Sequence, residues 1–280
     1  MKKFLTLALS LALTLSLAAC GSSGSTEPSG SAPASGEEAE TVTLKIAASP
    51  TPHAEILEQV KPILAKQGID LVITTYSDYP IQNTVVDEGE EDANYFQHTP
   101  YLEQFNAENG TDLVSAGKIH YEPMGIYPGK TATLEDLPDG ATIAVPNDAT
   151  NEARALLVLQ QEGLITLADD AGITATINDI VDNPKNLEIV EMEAAQLPLR
   201  LADLDMAVIN GNYAIDAGLS MDDALAVESA DGEAAQAYVN VLAVKEGREN
   251  DPAIQALAAA LCSDEVKTFI DETYNGAVVA

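Results

Sequence analysis

The alternation of short β-rich apolar runs with helical segments is the feature that most limits the fold of this chain. It begins with a strand-like run at Thr43–Ala48, followed by a helical pattern from Pro52 to Gln67. A second strand pattern, Ile69–Thr75, and a second helical pattern, Ile81–Asp87, repeat this order. Strands that alternate with helices favour parallel sheets covered by helices on both faces. The sequence therefore predicts an α/β fold.

The stretch from Thr41 to Ala280 is longer than the usual single hydrophobic core. A second set of alternating elements begins near Ala141. We therefore predict two lobes with a ligand cleft between them. The predicted limits are 41–125 plus 238–280 for the first lobe and 126–237 for the second.

The N-terminal segment has the form of a lipoprotein signal. Lys2 and Lys3 precede an apolar run, Phe4–Leu17, and two alanines then lead to Cys20. A positive start, a short apolar run and small residues before the cleavage point are typical of a secretory signal peptide. The run is shorter than the roughly 20 residues of a membrane-spanning helix. We predict cleavage after 1–19 and lipidation of Cys20; the alternative is an ordinary signal peptide with a chance cysteine.

The segment 20–40 is expected to be a disordered tether. It consists of Gly, Ser, Pro, Ala, Thr and Glu after its first cysteine, with no large apolar side chain to bury. One acyl chain anchors a protein only marginally, so stable attachment needs the several chains of a bacterial lipoprotein. We expect a lipid-anchored (palmitoylated) protein on the extracytoplasmic face of the cell membrane.

The charge balance excludes one class of partner. The chain has 45 acidic and 13 basic residues, which gives a formal net charge of −32. Nucleic acid would be repelled by such a surface, and anionic substrates are disfavoured for the same reason. A zwitterion or a cation is the more compatible ligand.

Cysteine contributes little to the prediction of function. Once Cys20 is lipidated, Cys262 is the only other cysteine in the chain, so no intramolecular disulfide can form. A single cysteine in an Ala/Leu-rich helical pattern is usually a small buried apolar residue. We predict that Cys262 is buried.

Aromatic residues and an imidazole follow two of the predicted strands. Phe96, His98 and Tyr101 lie at a strand end and a helix start, and Tyr79 follows the strand at Ile69–Thr75. Such a group can form a slot for a polarisable apolar side chain, because sulfur–aromatic contacts contribute about 0.3–1.5 kcal/mol each. The alternative is a set of core aromatic residues with a satisfied histidine.

A strand that ends near Val145 leads into a group of polar residues. Asn151 and Arg154 follow side chains that can cap a helix. A cation near a helix N-terminus is electrostatically unfavourable unless an anion binds beside it. A ligand carboxylate would meet both the guanidinium group and free helix N–H groups. The alternative is a surface arginine.

Three asparagines complete the candidate site. Asn210 and Asn212 follow the apolar strand pattern that begins at Met206, and Asn240 lies in a strand pattern that can join the lobes. An amide oxygen can accept a hydrogen bond from an ammonium group. Asn-Gly is also a frequent turn pair, so turn formation is the alternative reading of this segment.

Six blocks of the sequence, in order along the chain, resemble the MetQ/NlpA lipoprotein family. They are Ala93–Phe105, Glu122–Tyr127, Asp139–Asp148, Asn151–Arg154, Glu193–Pro198 and Ala207–Ala214. The resemblance covers nearly all of 41–280. It implies a type II periplasmic-binding-protein fold and delivery of L-methionine, D-methionine or a methionine derivative to an ABC permease and its ATPase.

The resemblance also implies roles for the candidate residues. Those that would surround the thioether side chain are Tyr79, Phe96, His98 and Tyr101. Arg154, with Asn151 nearby, would take the carboxylate, and Asn210 or Asn212, with Asn240, would hold the amino end. The chain departs from the family pattern Asp-Tyr-Val-x-Pro-Asn in the loop around Tyr79, where it has Asp-Tyr-Pro-Ile-Gln-Asn.

Two other function classes compete with this one. Motifs of common enzymes, such as the Walker-A loop, Gly-x-Ser-x-Gly and His-Glu-x-x-His, are missing from the sequence, so we expect neither catalysis nor a cofactor. A metal-binding lipoprotein is the second rival, because His53, His98 and His120 with an acid could hold Zn²⁺ or Mn²⁺. The aromatic group already accounts for His98, and His53 is expected at a helix start, as a capping or surface residue. We therefore expect no resident metal.

Overall fold

A computed structural model describes residues 41–229 and 236–280. The predicted signal peptide 1–19, the lipidation site Cys20 and the tether up to residue 40 lie outside the described residues. These three assignments stay predictions.

The described residues alternate between strands and helices as expected. The strands are β1 (Val42–Ala48), β2 (Ile69–Thr75), β3 (Ala93–His98), β4 (Leu113–His120), β5 (Gly125–Pro128), β6 (Thr142–Pro146), β7 (Thr166–Leu167), β8 (Ile180–Asp182), β9 (Glu188–Met192), β10 (Met206–Ile209), β11 (Ala226–Val227) and β12 (Asn240–Lys245). The α-helices are α1 (Glu55–Ala65), α2 (Tyr79–Asp87), α3 (Thr99–Asn109), α4 (Ala149–Gln161), α5 (Leu197–Arg200), α6 (Gly211–Asp216), α7 (Pro252–Leu261) and α8 (Asp264–Tyr274). Short helical turns occur at Pro50–Ala54, Gly172–Thr174, Ile177–Asp179, Ala194–Gln196, Leu201–Asp203 and Met221–Asp223.

Two five-stranded sheets organise the molecule, with strand orders β2-β1-β3-β12-β4 and β11-β5-β10-β6-β9. We call the first sheet and its helices lobe 1, and the second sheet and its helices lobe 2. The chain passes from lobe 1 to lobe 2 between β4 and β5, and it returns between β11 and β12. The predicted two-lobed α/β fold is thus present, while the residue limits of the lobes stay a prediction.

The sheets are mixed, so the prediction of parallel sheets holds for only part of each sheet. Strand β1 is parallel to β2 and β3, but β12 is antiparallel to both β3 and β4. The reason lies in the return crossing. Strand β12 enters lobe 1 with Asn240 paired to His98, the last residue of β3, and therefore runs in the opposite direction.

Strand β12 shows how lobe 1 buries both faces of its sheet. Leu242 and Val244 belong to the core under α1, α7 and α8, whereas Val241 and Ala243 pack with residues of α2 and α3. Successive side chains of a strand point to opposite faces, so helices must cover both. Full burial of such a side chain contributes about 1.5–3 kcal/mol. The predicted helical layers on both faces are confirmed for lobe 1.

Lobe 2 has a core of its own around α4. Leu156 and Leu159 of this helix are fully buried against strand residues such as Ile143 and Val208. Alternating strand residues on the opposite face, including Ala144 and Ala207, pack in a third cluster that also contains side chains of lobe 1. The contact between the lobes is therefore part of the hydrophobic packing.

Two further findings concern single elements. In the described ranges, no helix combines the length and the apolar character that crossing a membrane requires. Cys262 is exposed, contrary to the prediction. It lies one residue beyond the end of α7, after the buried Leu261, and so misses the buried face of the helix.

Candidate ligand-binding site

Four strand–helix junctions supply all but one of the predicted site residues. Strands β2 and β3 run into α2 and α3 in lobe 1, and β6 and β10 run into α4 and α6 in lobe 2. Ligands of open α/β sheets bind beyond the carboxyl ends of strands. The residues singled out from the sequence come from these junctions, except Asn240, which begins β12.

A wall of aromatic rings lies between the lobes. We call it the ring wall; its members are Tyr79, Phe96, Tyr101 and Tyr213. The ring centroid of Tyr79 lies 5.3 Å from that of Phe96, 5.6 Å from that of Tyr101 and 4.8 Å from that of Tyr213. These separations are typical of favourable aromatic pairs. The structure thus brings together three rings predicted in lobe 1 and adds Tyr213 from lobe 2.

Hydrogen bonds join the ring wall to both lobes. The Tyr79 hydroxyl donates to Oδ1 of Asn212 at 2.6 Å, and the Tyr213 hydroxyl donates to the Ser77 carbonyl at 2.8 Å. Helix α2 begins at Tyr79, so Pro80 stands in its first turn, where the missing N–H costs no helical bond. The departure from the family pattern therefore fits a regular helix start.

A chain of side-chain hydrogen bonds links His98 to Asn210. His98 Nδ1 accepts from the backbone N–H of Tyr101, so its Nε2 carries the proton and donates to Asn151 Oδ1 at 3.1 Å. Asn210 Nδ2 donates to the same oxygen at 2.8 Å. Asn151 Nδ2 donates to Asp148, so both ends of the Asn151 amide are engaged. Within the described residues, the buried Asn210 Oδ1 has no hydrogen-bond partner.

Arg154 is buried rather than exposed at the surface, with 3% of its area accessible. Its Nε donates to both oxygens of Glu228, at 2.9 and 3.0 Å, and its Nη2 donates to Glu228 Oε2 at 2.5 Å. Nη2 also donates to the Glu122 carbonyl at 2.7 Å. The guanidinium carbon lies 4.5 Å from the ring centroid of Tyr238, a cation–π contact. Arg154 stands in the second turn of α4, one turn later than we expected.

Burial controls protonation in this region. It lowers the pKa of His98 to about 3, and the nearby Arg154 adds to the decrease. Burial also works to lower the pKa of Arg154, but the Glu228 carboxylate outweighs it and the pKa is raised. His98 is therefore neutral at neutral pH, and Arg154 is the cation that faces the amides.

A cavity of about 260 Å³ lies on the ring wall, lined by Tyr79, Pro80, Tyr101, Asn147, Asp148, Glu193, Ala194, Ala195 and Tyr213. Its lining comes from both lobes but does not include Arg154 or Asn240, which are 3% and 6% accessible. The polar residues of the site thus lie deeper than this cavity.

Comparison with known proteins places the chain among lipoproteins. The family model described as NlpA lipoprotein matches residues 44–280. The chain belongs to the NlpA lipoprotein family.

Individual members of this family agree with the match. The methionine-binding lipoprotein MetQ of Bacillus subtilis (strain 168) is 43% identical over 251 residues, which cover 88% of this chain and 90% of that protein. A lipoprotein structure from Ruminococcus gnavus ATCC 29149 has a TM-score of 0.84 at 60% identity and covers 85% of this chain and 98% of that one. A nutrient-binding protein from Burkholderia cenocepacia, solved bound to methionine, has a TM-score of 0.80 at 42% identity. The match covers 85% of this chain and 99% of that one.

The rival metal site of three histidines does not assemble as one group. His98 lies with Asn151 and Arg154, whereas His53 and His120 meet at the buried carboxylate of Glu122. His120 Nε2 and Glu122 Oε1 are 2.6 Å apart. This is a hydrogen-bond length, shorter than the roughly 3.3 Å between two ligand atoms of a tetrahedral zinc ion with bonds near 2.0 Å. His53 is fully buried, so the expectation of a capping or surface residue was wrong.

Sequence reasoning missed three residues that shape this NlpA-family site: Glu228, Tyr238 and Tyr213. Glu228 and Tyr238 both contact Arg154. They lie in the return crossing between β11 and β12. The strand predicted at Tyr238–Lys245 includes Tyr238, but neither residue was assigned to the site. The signal that could have found them is positional, because a segment that joins two lobes must pass the cleft. Tyr213 follows Asn212 directly in the sequence. Only Asn212 was named as a candidate, so the ring of Tyr213 was missed.

Proposed function

We propose that this protein is the substrate-binding lipoprotein of an ABC importer, and that it binds methionine and delivers it to a membrane permease with its ATPase. The ligand is L-methionine, D-methionine or a methionine derivative. The protein acts by binding and not by catalysis, at the extracytoplasmic face of the cell membrane, where lipid on Cys20 anchors it. One observation carries the proposal. Between the two lobes, the ring wall lies near a buried arginine, Arg154, and near the buried oxygen of Asn210, which has no hydrogen-bond partner among the described residues.

Arg154 is the proposed partner of the ligand carboxylate. Its contacts with Glu228 and Glu122 use Nε and Nη2, which leaves Nη1 as the nitrogen that we assign to the ligand. Glu228 also accepts from the Tyr121 hydroxyl at 2.6 Å. The carboxylate of Glu228 therefore holds the guanidinium in one orientation, and such preorganisation favours binding.

Asn210 is the proposed partner of the ammonium group. Its Oδ1 is buried and has no partner among the described residues, and an unsatisfied buried acceptor costs about 1–3 kcal/mol until a donor arrives. Asn212 is the weaker candidate, because its Oδ1 already accepts from Tyr79. Asn151 then acts by orienting Asn210 and His98, since both ends of its amide are engaged.

We assign the ligand side chain to the ring wall, where it would contact Phe96 and the neighbouring His98. A thioether suits this surface, because sulfur–aromatic contacts are favourable and a neutral imidazole adds no charge. A ligand that touches both the ring wall and Arg154 bridges the lobes. It stabilises the closed arrangement through contacts that an open arrangement lacks.

The affinity that such a ligand can reach is bounded by its size. Methionine has about nine heavy atoms, and a best case near −1.5 kcal/mol per atom permits roughly −9 to −13 kcal/mol. This range corresponds to dissociation constants from sub-micromolar to nanomolar. A binding protein that scavenges a dilute nutrient needs this range.

Titration calorimetry of the full chain in detergent tests the proposal. L-Methionine and D-methionine are compared with norleucine, which replaces the sulfur by a methylene, and with Zn²⁺. We expect sub-micromolar binding of one methionine enantiomer or both, and weaker binding of norleucine. Binding of Zn²⁺ without binding of either methionine would favour the metal lipoprotein instead. Mass spectrometry of the ligand released on denaturation would identify a derivative.

A further inference from the structure

A second buried polar network lies next to the candidate ligand site. The Tyr95 hydroxyl contacts His120 Nδ1, and His120 Nε2 lies 2.6 Å from Glu122 Oε1. His53 Nε2 lies 3.3 Å from the same carboxylate oxygen and 3.0 Å from Asn240 Oδ1. His53, His120, Glu122 and Asn240 are 0%, 1%, 5% and 6% accessible. The network therefore ends on Asn240, a residue of the candidate site.

The network bridges the lobes and both crossings. Glu122 lies in the first crossing, and its carboxylate also accepts from the backbone N–H of Asn212 in lobe 2. A Cβ on Gly211 would lie 2.9 Å from the Glu122 Cβ, so a glycine is needed for this close approach. Asn240 begins β12 at the end of the return crossing and pairs with His98 and His120 in the sheet.

The protons of the network can be assigned from its acceptors. A carboxylate only accepts hydrogen bonds. Glu122 Oε1 lies 2.6 Å from Nε2 of His120 and 3.3 Å from Nε2 of His53, and a lone pair on either nitrogen would be repelled by it. His120 then carries its proton on Nε2 and accepts from the Tyr95 hydroxyl on Nδ1. His53 likewise carries its proton on Nε2. An N–H on this atom requires that Asn240 turns its oxygen, and not its NH₂ group, towards His53.

The amide of Asn240 consequently has a fixed polarity. Its oxygen is engaged by His53, and we assign its NH₂ group to the ligand. An NH₂ group donates to a carboxylate and cannot accept from an ammonium group. This differs from the role at the amino end that the family resemblance implies for Asn240.

We propose that His53 is a positioning residue that makes Asn240 a hydrogen-bond donor in the ligand site, so that the site prefers ligands with a carboxylate. The inference rests on the proposed function, because it assigns a polarity to the same site. Arg154 and Asn240 then both donate to the ligand carboxylate. A carboxamide in its place would direct its own NH₂ group at one of these two donors.

The test compares L-methionine with L-methioninamide, by calorimetry on the full chain. His53→Leu removes the N–H, whereas His53→Gln keeps an N–H donor near the position of Nε2. We expect His53→Leu to reduce the preference for methionine over its amide by about tenfold, because the freed Asn240 amide can rotate. His53→Gln should restore most of the preference.

His120→Leu is the matched control. This imidazole is as buried as His53 and contacts the same Glu122 oxygen, but among the described residues its side chain makes no hydrogen bond to Asn240. Its loss should lower stability without changing the preference for the carboxylate. An unchanged preference in His53→Leu, or an equal change in His120→Leu, would overturn the inference.

Nitrogen-15 NMR of the histidine tautomers separates this inference from the proposed function. A proton on Nε2 of His53 supports the assigned polarity of Asn240, and a proton on Nδ1 refutes it, whether or not methionine binds. Failure of the wild-type chain to bind methionine would instead refute the proposed function.

Discussion

The two lobes contribute different chemistry to the same cleft. Lobe 1 supplies neutral groups, namely the rings of Tyr79, Phe96 and Tyr101 and the imidazole of His98, whose pKa burial lowers to about 3. Lobe 2 supplies Arg154 and the amide of Asn210, with an unsatisfied oxygen. The first half suits an apolar side chain and the second half suits the charged end of an amino acid.

This division explains how a strongly acidic protein can hold a ligand carboxylate. The net charge of −32 spreads over the whole chain, but the field at the cleft is set by nearby buried groups, which solvent screens far less than exposed ones. Arg154 and Glu228 form one buried ion pair there, with side chains 4% and 9% accessible. The polar half of the cleft is therefore electrostatically balanced before a ligand arrives.

The largest expected effect on methionine binding comes from a substitution of Arg154 in lobe 2. Arg154→Ala should weaken methionine binding by at least about 30-fold, because truncating one partner of a buried charged contact costs about 2–5 kcal/mol. It also leaves Glu228 buried without its cation, so the chain should lose stability. The double variant Arg154→Ala with Glu228→Gln relieves that second cost. Calorimetry and thermal unfolding of both variants separate the effects, and normal affinity in the double variant would remove Arg154 from the site.

The next effect concerns the amides of lobe 2. Asn210→Leu should weaken methionine binding by about tenfold or more, through loss of the oxygen assigned to the ammonium group. It should have little effect on 4-(methylthio)butanoate, which lacks that group. Asn212→Leu is the matched control and should keep the discrimination between the two ligands. If Asn212→Leu abolishes the discrimination and Asn210→Leu does not, the two assignments must be exchanged.

The same contrast shows what a sequence can predict. Tyr79, Phe96, His98, Arg154 and Asn210 were singled out because each lies at or shortly after the end of a strand pattern, and strand ends of an α/β fold converge on one edge. The helical patterns at Pro252–Leu261 and Asp264–Tyr274 likewise predict helices with the bounds of α7 and α8, since apolar periodicity and a helix start signal coincide there.

The remaining contacts depend on how distant segments meet. Glu228 reaches Arg154 across 74 positions of the sequence, and His53 reaches Asn240 across 187. The bounds of strand β4, with the sequence LVSAGKIH, were not predicted, because its apolar residues follow no regular alternation; a strand was expected only around His120. These contacts are fixed by the two crossings between the lobes, which leave no periodic signal in the sequence.

A smaller effect is expected at the ring wall. Tyr79→Phe keeps the ring and removes the hydroxyl that donates to Asn212 across the lobes at 2.6 Å. Loss of one such bond contributes about 0.5–1.5 kcal/mol, so methionine should bind a few-fold more weakly. Tyr213→Phe is the matched control, because its hydroxyl also crosses the lobes but bonds to the Ser77 carbonyl. Equal losses in both variants would mean that the hydroxyls only hold the lobes together.

The last expected effect concerns stability rather than binding, and it is a change in the acid sensitivity of lobe 1. The folded-state pKa of His98 is lowered from 6.5 to about 3 by burial and then by Arg154, so the folded state binds fewer protons than the unfolded one. Its contribution to stability is fully present above pH 6.5 and is lost as the pH falls towards 3. His53, with a pKa of about 4, and His120, with a pKa of about 3, act in the same direction. The pKa values of Glu122 and Asp148 are raised by burial and oppose the effect at acid pH.

His98→Gln tests this sign, because glutamine can still donate to Asn151 but does not titrate. The free energy of unfolding in urea, measured between about pH 7.5 and about pH 5, should fall less steeply for the variant, by up to about 1.4 kcal/mol per pH unit. A parallel fall in wild type and variant would show that His98 takes up its proton in the folded state. The neutral character assigned to lobe 1 would then be wrong, because a second cation would stand beside Arg154.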